Sequence, residues 1–203
     1  MSKVIAGITT SVDGYVAGPD DGPGRGLGTG GERLHHWVFG GPWTYDEGPR
    51  GEATAEDKVW LESVMARVGA VVAGRGTYEA SERWGDRNPW PVPLFVVTHR
   101  PHEQPDAGKG FTFVGDLATA IARAKQVAGD LDVHLMGGAD AIRQALAAGL
   151  VDELTMIIAP VILGGGKGLF DGFELDLDLE HLGVRQSAHA TFVDYRVVPP
   201  LRD

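Results

Sequence analysis

The sequence predicts an α/β fold that closes on a C-terminal strand hairpin, and three observations carry that reading. From residue 54 onward, short apolar runs alternate with helical patterns. Two of those runs, 70–74 ending in Gly74 and 133–136 followed by Gly137-Gly138, pass at once into a helical pattern. Near the end, strand patterns at about 179–187 and 190–198 surround a turn at Ala188-His189.

The chain has 203 residues, 43% hydrophobic and 23% charged, which suits one folded domain over 1–203 and argues against disorder. A formal net charge of −10 argues against nucleic acid or an anionic membrane as the main partner. An acidic protein can still grip a phosphate locally, because a Gly/Arg site uses few charges. Cysteine is absent, which excludes disulfides, a thiol nucleophile and cysteine metal sites. The N-terminus enters a strand pattern directly and no apolar run approaches ~18 residues, so a cytoplasmic protein is expected.

Lys3 to Thr9 reads as a strand, and the small Ala6 and Gly7 in it imply close packing by a neighbour or a ligand. Asp13-Gly14 is a turn, and Tyr15-Val16-Ala17 a short extended return. Residues 19–53 form a long loop insertion rich in Gly, Pro and charge. It carries Trp37, Trp43 and Tyr45, more aromatics than a linker holds. It is either a lid or a surface loop pinned by its tryptophans, and 34–39 has the pattern of a helical turn or two.

Thr54 to Val68 is expected as a helix with an apolar face at Leu61, Val64, Met65 and Val68. Thr54 can cap it, with Asp57 three residues on as in a capping box. Asp57 also shares the inward stripe, so it either caps the helix or faces a pocket with a raised pKa. Strand 70–74 leads into a helix expected through Trp84. Strand 94–98 follows Pro91 and Pro93, and strand 111–114 precedes a helix over 117–128 capped by Asp116. Strand 133–136 ends in Gly137-Gly138, and a helix then runs to Gly149. A long central strand is expected over 154–163, interrupted at Pro160, before a glycine loop at 164–170.

Several chemistries drop out. There is no G-x-S-x-G elbow and no H-E-x-x-H, and adjacent His35-His36 is a poor geometry for shared metal ligation. Gly164-Gly165-Gly166-Lys167 is not a P-loop, because Val161 stands at the first glycine position and Gly168 replaces the Ser/Thr. Three phosphate-compatible segments remain at strand ends: Gly74 to Thr77, Thr98 to Arg100, and Gly137 to Ala139. Three such segments on one sheet fit a ligand with several phosphates, such as a dinucleotide. Arg75 and Arg100 are candidate cations for a 2′-phosphate, which favours NADPH over NADH.

The order of motifs resembles the dihydrofolate reductase-like superfamily, and more closely the reductase domain of bacterial riboflavin biosynthesis, over about residues 3 to 198. The carriers are the Ser11-Val12-Asp13-Gly14 turn, Gly74-Arg75-Gly76-Thr77-Tyr78-Glu79, Leu135-Met136-Gly137-Gly138-Ala139, and Gly149-Leu150-Val151-Asp152-Glu153-Leu154 through Pro160-Val161-Ile162-Leu163-Gly164 to Leu169-Phe170. The resemblance implies a three-layer α/β/α sandwich on a mostly parallel sheet. It implies an NADPH-dependent oxidoreductase of the dihydrofolate reductase or 5-amino-6-(5-phosphoribosylamino)uracil reductase type, acting on a pterin- or pyrimidine-like ring. By motif match, Gly74, Arg75 and Thr77 would serve the phosphates, and Thr98, His99 and Arg100 the adenosine 2′-phosphate. Gly137, Gly138 and Ala139 would hold the pyrophosphate, and Thr10 would lie beside the nicotinamide. Asp57 would be the acid, with Trp37 and Trp60 against the substrate. The riboflavin-pathway likeness also implies a homodimer and a stand-alone reductase without the Cys/His deaminase. The alternative is a dinucleotide-binding sensor or scaffold without turnover.

Overall fold

The computed structural model describes residues 2–198. Its main sheet has eight strands in the order β5-β4-β3-β6-β1-β7-β10-β9. The first six in that order are β5 (Phe111–Val114), β4 (Leu94–Val97), β3 (Val68–Gly74), β6 (Asp132–Leu135), β1 (Val4–Thr10) and β7 (Glu153–Ile158). They pair in parallel throughout. β10 (Thr191–Val197) lies antiparallel between β7 and β9 (Leu179–Gln186), which is the expected terminal hairpin. β2 (Tyr15–Ala17) and β8 (Lys167–Gly168) form a separate two-stranded ribbon.

Strand residues alternate between two cores, as a sheet covered on both faces requires. On one side Ala70, Val72 and Phe95 pack with α5 (Leu117–Ala128) and α6 (Ala139–Ala147) through Ile121, Ala124, Ile142 and Leu146. On the other, Val71, Ala73, Leu94 and Val96 pack with Tyr78 of α3 (Arg75–Ala80), Phe111 and Phe113. A third cluster on that side joins Trp37 of α1 (His36–Phe39), Trp60 of α2 (Ala55–Met65), Ile157 and Phe192. The result is the three-layer α/β/α arrangement.

Several boundaries move. α2 stops at Met65, and Val68 is the first residue of β3 rather than the last of the helix. Thr54 stands at the N-cap position with extended backbone, but its side chain accepts no cap hydrogen bond. The Thr54–Asp57 capping box is therefore not formed, and the local pattern gave way to the tertiary setting of Asp57. The helix expected through Trp84 ends at Ala80, and α4 (Arg83–Asp86) is a single turn whose Trp84 and Gly85 lie in the left-handed region. β7 ends at Ile158, so 159–163 is not strand. There the Val161 carbonyl accepts from Val12 N–H at 2.8 Å, tying the segment to the turn after β1. Asp116 does cap α5, its carboxylate accepting from Thr119 N–H at 2.8 Å.

Candidate cofactor and substrate cleft

The carboxyl ends of β3, β6 and β4 open on one cleft of about 1870 Å³. Two of the three phosphate-compatible segments meet directly. Gly74 N–H donates to the Gly137 carbonyl at 2.7 Å. A Cβ placed on Gly138 would stand 3.2 Å from Thr77 Oγ1. The Gly137-Gly138 peptide is cis, and Gly137 has a φ of 105°, in the region glycine tolerates. The third segment joins through side chains: Arg100 lies 3.8 Å from Glu79, and Glu103 lies 3.8 Å from Arg75.

Arg75 is held on several sides. Its Nε donates to Glu79 Oε1 at 2.7 Å, and its guanidinium lies 5.4 Å from the Tyr78 ring centre and 5.0 Å from that of Phe113. Its Nη1 is buried without a partner. Thr98 is buried, and its hydroxyl accepts from Arg100 N–H at 3.1 Å. His99 and Arg100 are exposed at the cleft margin. Gly74, Arg75, Thr77, Thr98, His99, Arg100, Gly138 and Ala139 all line the cleft. Thr10 and Gly137 do not. Thr10 is 1% exposed and gives its carbonyl to Ala159 N–H, while Ile8 and Thr9 face the cleft in its place.

Residues 21–45 wall the far side. The tip of the long loop packs so closely on α3 that a Cβ on Gly26 would meet the Ala80 carbonyl at 2.0 Å. Tyr45 pins the loop, accepting from Leu27 N–H at 3.0 Å and donating to the Gly28 carbonyl at 3.2 Å. Trp37 and Trp60 both line the cleft, yet each is only 6% exposed. Their rings pack with Phe192 at 5.5 and 4.6 Å, and Trp37 Nε1 donates to Thr9 Oγ1 at 3.0 Å. They form a fixed floor.

Asp57 is 2% exposed and sits behind that floor, one helical turn before Trp60 and Leu61, rather than on the cleft surface. Burial raises its pKa, while Ser187 and His189 of the hairpin turn pull it back down. Its Oδ1 has no hydrogen-bond partner.

The sequence reading passed over His134, whose ring lines the cleft. Gly7 was the available signal: a Cβ there would lie 2.8 Å from His134 Cε1, so the close neighbour that Gly7 admits is this imidazole. Burial holds His134 and His35 neutral, each with a pKa lowered to about 4. Five buried side-chain nitrogens without partners, on His35, Trp43, Arg75, Trp90 and His134, belong to residues that line this one cleft. Among the described residues no group of three or more His, Asp or Glu could hold a metal ion, and no helix is long and apolar enough to cross a membrane.

The family model described as "RibD C-terminal domain" matches residues 2–193. A curated relative, the uncharacterized protein YwjB of Bacillus subtilis, is 29% identical over 130 residues, 63% of this chain and 73% of that protein. A putative riboflavin biosynthesis protein from Shewanella superposes with a TM-score of 0.72 at 24% identity, covering 97% of this chain and 99% of that one. Dihydrofolate reductase from Enterococcus faecalis, solved with NADP(H), superposes with a TM-score of 0.60 at 14% identity, covering 96% of each chain. At these identities the structural likeness is one of fold.

Proposed function

This chain belongs to the RibD C-terminal domain family, and on that footing we propose that it is a reductase using NADPH to reduce a small heterocyclic substrate of pterin or pyrimidine type. The observation that carries the reading is the meeting of three strand-end segments on one cleft, with a buried, unpartnered Arg75 Nη1 among them. An orphaned donor on a cation suits a phosphate oxygen, and the absence of side chains at Gly74 and Gly138 beside Thr77 suits close approach by a pyrophosphate.

In this reading Gly74, Thr77, Gly138 and Ala139 bind the pyrophosphate. Arg75, Thr98, His99 and Arg100 bind the adenosine 2′-phosphate, and Ile8 and Thr9, with Thr10 behind them, border the nicotinamide. When bound, the dinucleotide supplies a hydride; the protein supplies orientation, exclusion of water and a proton. Trp37 and Trp60 form the floor under the substrate. Asp57, behind that floor, is assigned the proton, because burial raises the pKa of its carboxyl. A cytoplasmic homodimer is part of the same proposal, and light scattering tests the dimer. The reaction itself is tested by NADPH oxidation at 340 nm across a set of pterins and pyrimidines. Turnover of one of them supports the proposal, and NADPH binding without turnover of any points to the non-catalytic alternative.

A further inference from the structure

The end of the cleft floored by Trp37 and Trp60, the substrate end in the reductase reading, differs from the rest in the charge of its lining. Five cationic side chains line the cleft: Arg75, Arg83, Arg100, Arg143 and Lys167. They belong to α3, α4, the segment after β4, α6 and β8. The wall built from β1, the 35–45 segment and α2 contributes no Lys or Arg to the lining. Most of its side chains are aromatic or aliphatic, such as Phe39, Leu61 and Val64.

Two unpartnered polar atoms stand in that wall. His35 Nδ1 and Trp43 Nε1 are both buried, and neither has a hydrogen-bond partner. The Trp43 indole is held edge-to-face between Phe39 at 5.5 Å and Tyr45 at 5.3 Å, so its N–H has a fixed direction. The indole can only donate, and an imidazole kept neutral by burial can donate or accept through Nδ1. Two carboxyl groups lie close to this wall, Asp57 behind Trp60 and Glu32 near His36 and Tyr45, each with one buried, unpartnered oxygen. Any charge they carry is negative, which opposes an anion in front of them.

We infer that this end of the cleft takes an uncharged, planar heteroaromatic ring without a phosphate, and that His35 Nδ1 and Trp43 Nε1 are the specificity-determining contacts to its carbonyl and ring-nitrogen atoms. The inference rests on the reductase reading for its role, but binding of the ring stands apart from the cofactor. A phosphoribosylated pyrimidine is disfavoured, since its phosphate would enter a wall without a cation. Arg25 and Arg33 are the nearest rivals: Arg25 lies over the Tyr45 ring at 5.9 Å and the charge of Arg33 acts on His36, but both are exposed and outside the lining.

The test is calorimetric titration of the full-length protein without added nucleotide, using lumazine, uridine and uridine 5′-monophosphate. Lumazine is expected to bind with saturation, and uridine to bind more tightly than its monophosphate. His35→Ala and Trp43→Phe should each weaken lumazine about tenfold, the loss of one hydrogen bond. Trp43→Phe keeps an aromatic ring, and circular dichroism checks that both variants fold. Tighter binding of the monophosphate than of uridine, no lumazine binding, or unchanged affinity in two folded variants would each overturn the inference. A separate NADPH titration of the same preparations reports on the reductase reading independently.

Discussion

Arg75 Nε donates to Glu79 Oε1 at 2.7 Å, so the cation best placed for a 2′-phosphate is already held by a carboxylate of its own helix. Arg100 and Glu103 extend the arrangement into a four-membered network with two positive and two negative groups. An incoming phosphate has to compete with both carboxylates. Glu79→Gln should therefore tighten NADPH severalfold and leave NADH nearly unchanged, as measured by calorimetry. Arg100→Ala should lower the preference for NADPH over NADH by about tenfold, the loss of one charge-assisted contact. Equal effects on both nucleotides would place the network outside the 2′-phosphate site.

Asp57→Asn separates proton donation from structure. If Asp57 holds the proton, the variant should lose about a hundredfold or more in kcat while binding NADPH as before. Wild-type kcat should fall as pH rises through the raised pKa of Asp57, and the variant should lose that limb of the profile. The same shift predicts a stability effect. A carboxyl whose folded pKa is raised stabilises the fold fully below its ordinary value of 3.8, and the contribution is lost as pH rises through the folded value. At pH 7 Asp57→Asn should raise Tm, with the difference vanishing in acid.

The buried imidazoles carry the opposite sign. His35 and His134 fall from 6.5 to about 4 on folding. Stability they contribute is complete above pH 6.5 and drains away as pH falls toward 4. The full loss is on the order of 3 kcal/mol for each. Urea denaturation between pH 7 and 4 should show the decline, and His134→Gln should make it shallower. An unchanged slope would mean that His134 is solvated.

Trp37 should divide into two contributions. Trp37→Phe removes the hydrogen bond to Thr9 Oγ1 and keeps most of the ring packing, so it should cost about 1 kcal/mol. Trp37→Ala opens a cavity against Trp60 and Phe192 and should cost about 3–5 kcal/mol. Chemical denaturation measures both.

Much of this architecture was legible because strand and helix periods are local. The 117–128 helix with its Asp116 cap, the 111–114 strand and the C-terminal hairpin can all be read from runs of about ten residues. The strand-end glycines pointed to the cleft for the same reason. Features set by distant partners were not legible. The spacing of Asp57 favours a cap over a pocket-facing acid, and it is the missing cap hydrogen bond and the burial of Asp57 beside the 187–189 turn that remove that role. Thr10 is buried and stands outside the lining while Ile8 and Thr9 face the cleft; which residues of a strand border a cleft depends on its pleat within the sheet, which its own sequence does not show. His134 was missed because its significance lies in Gly7, 127 positions away in the sequence.

The central claim is that the cleft holds a 2′-phosphorylated nicotinamide dinucleotide. A calorimetric titration of the protein with NADPH, and in parallel with NADH, tests it most directly. The expected result is saturable binding of one NADPH per chain, with NADH clearly weaker and with NADPH affinity falling in Arg75→Ala. No saturable binding of either nucleotide would contradict the claim.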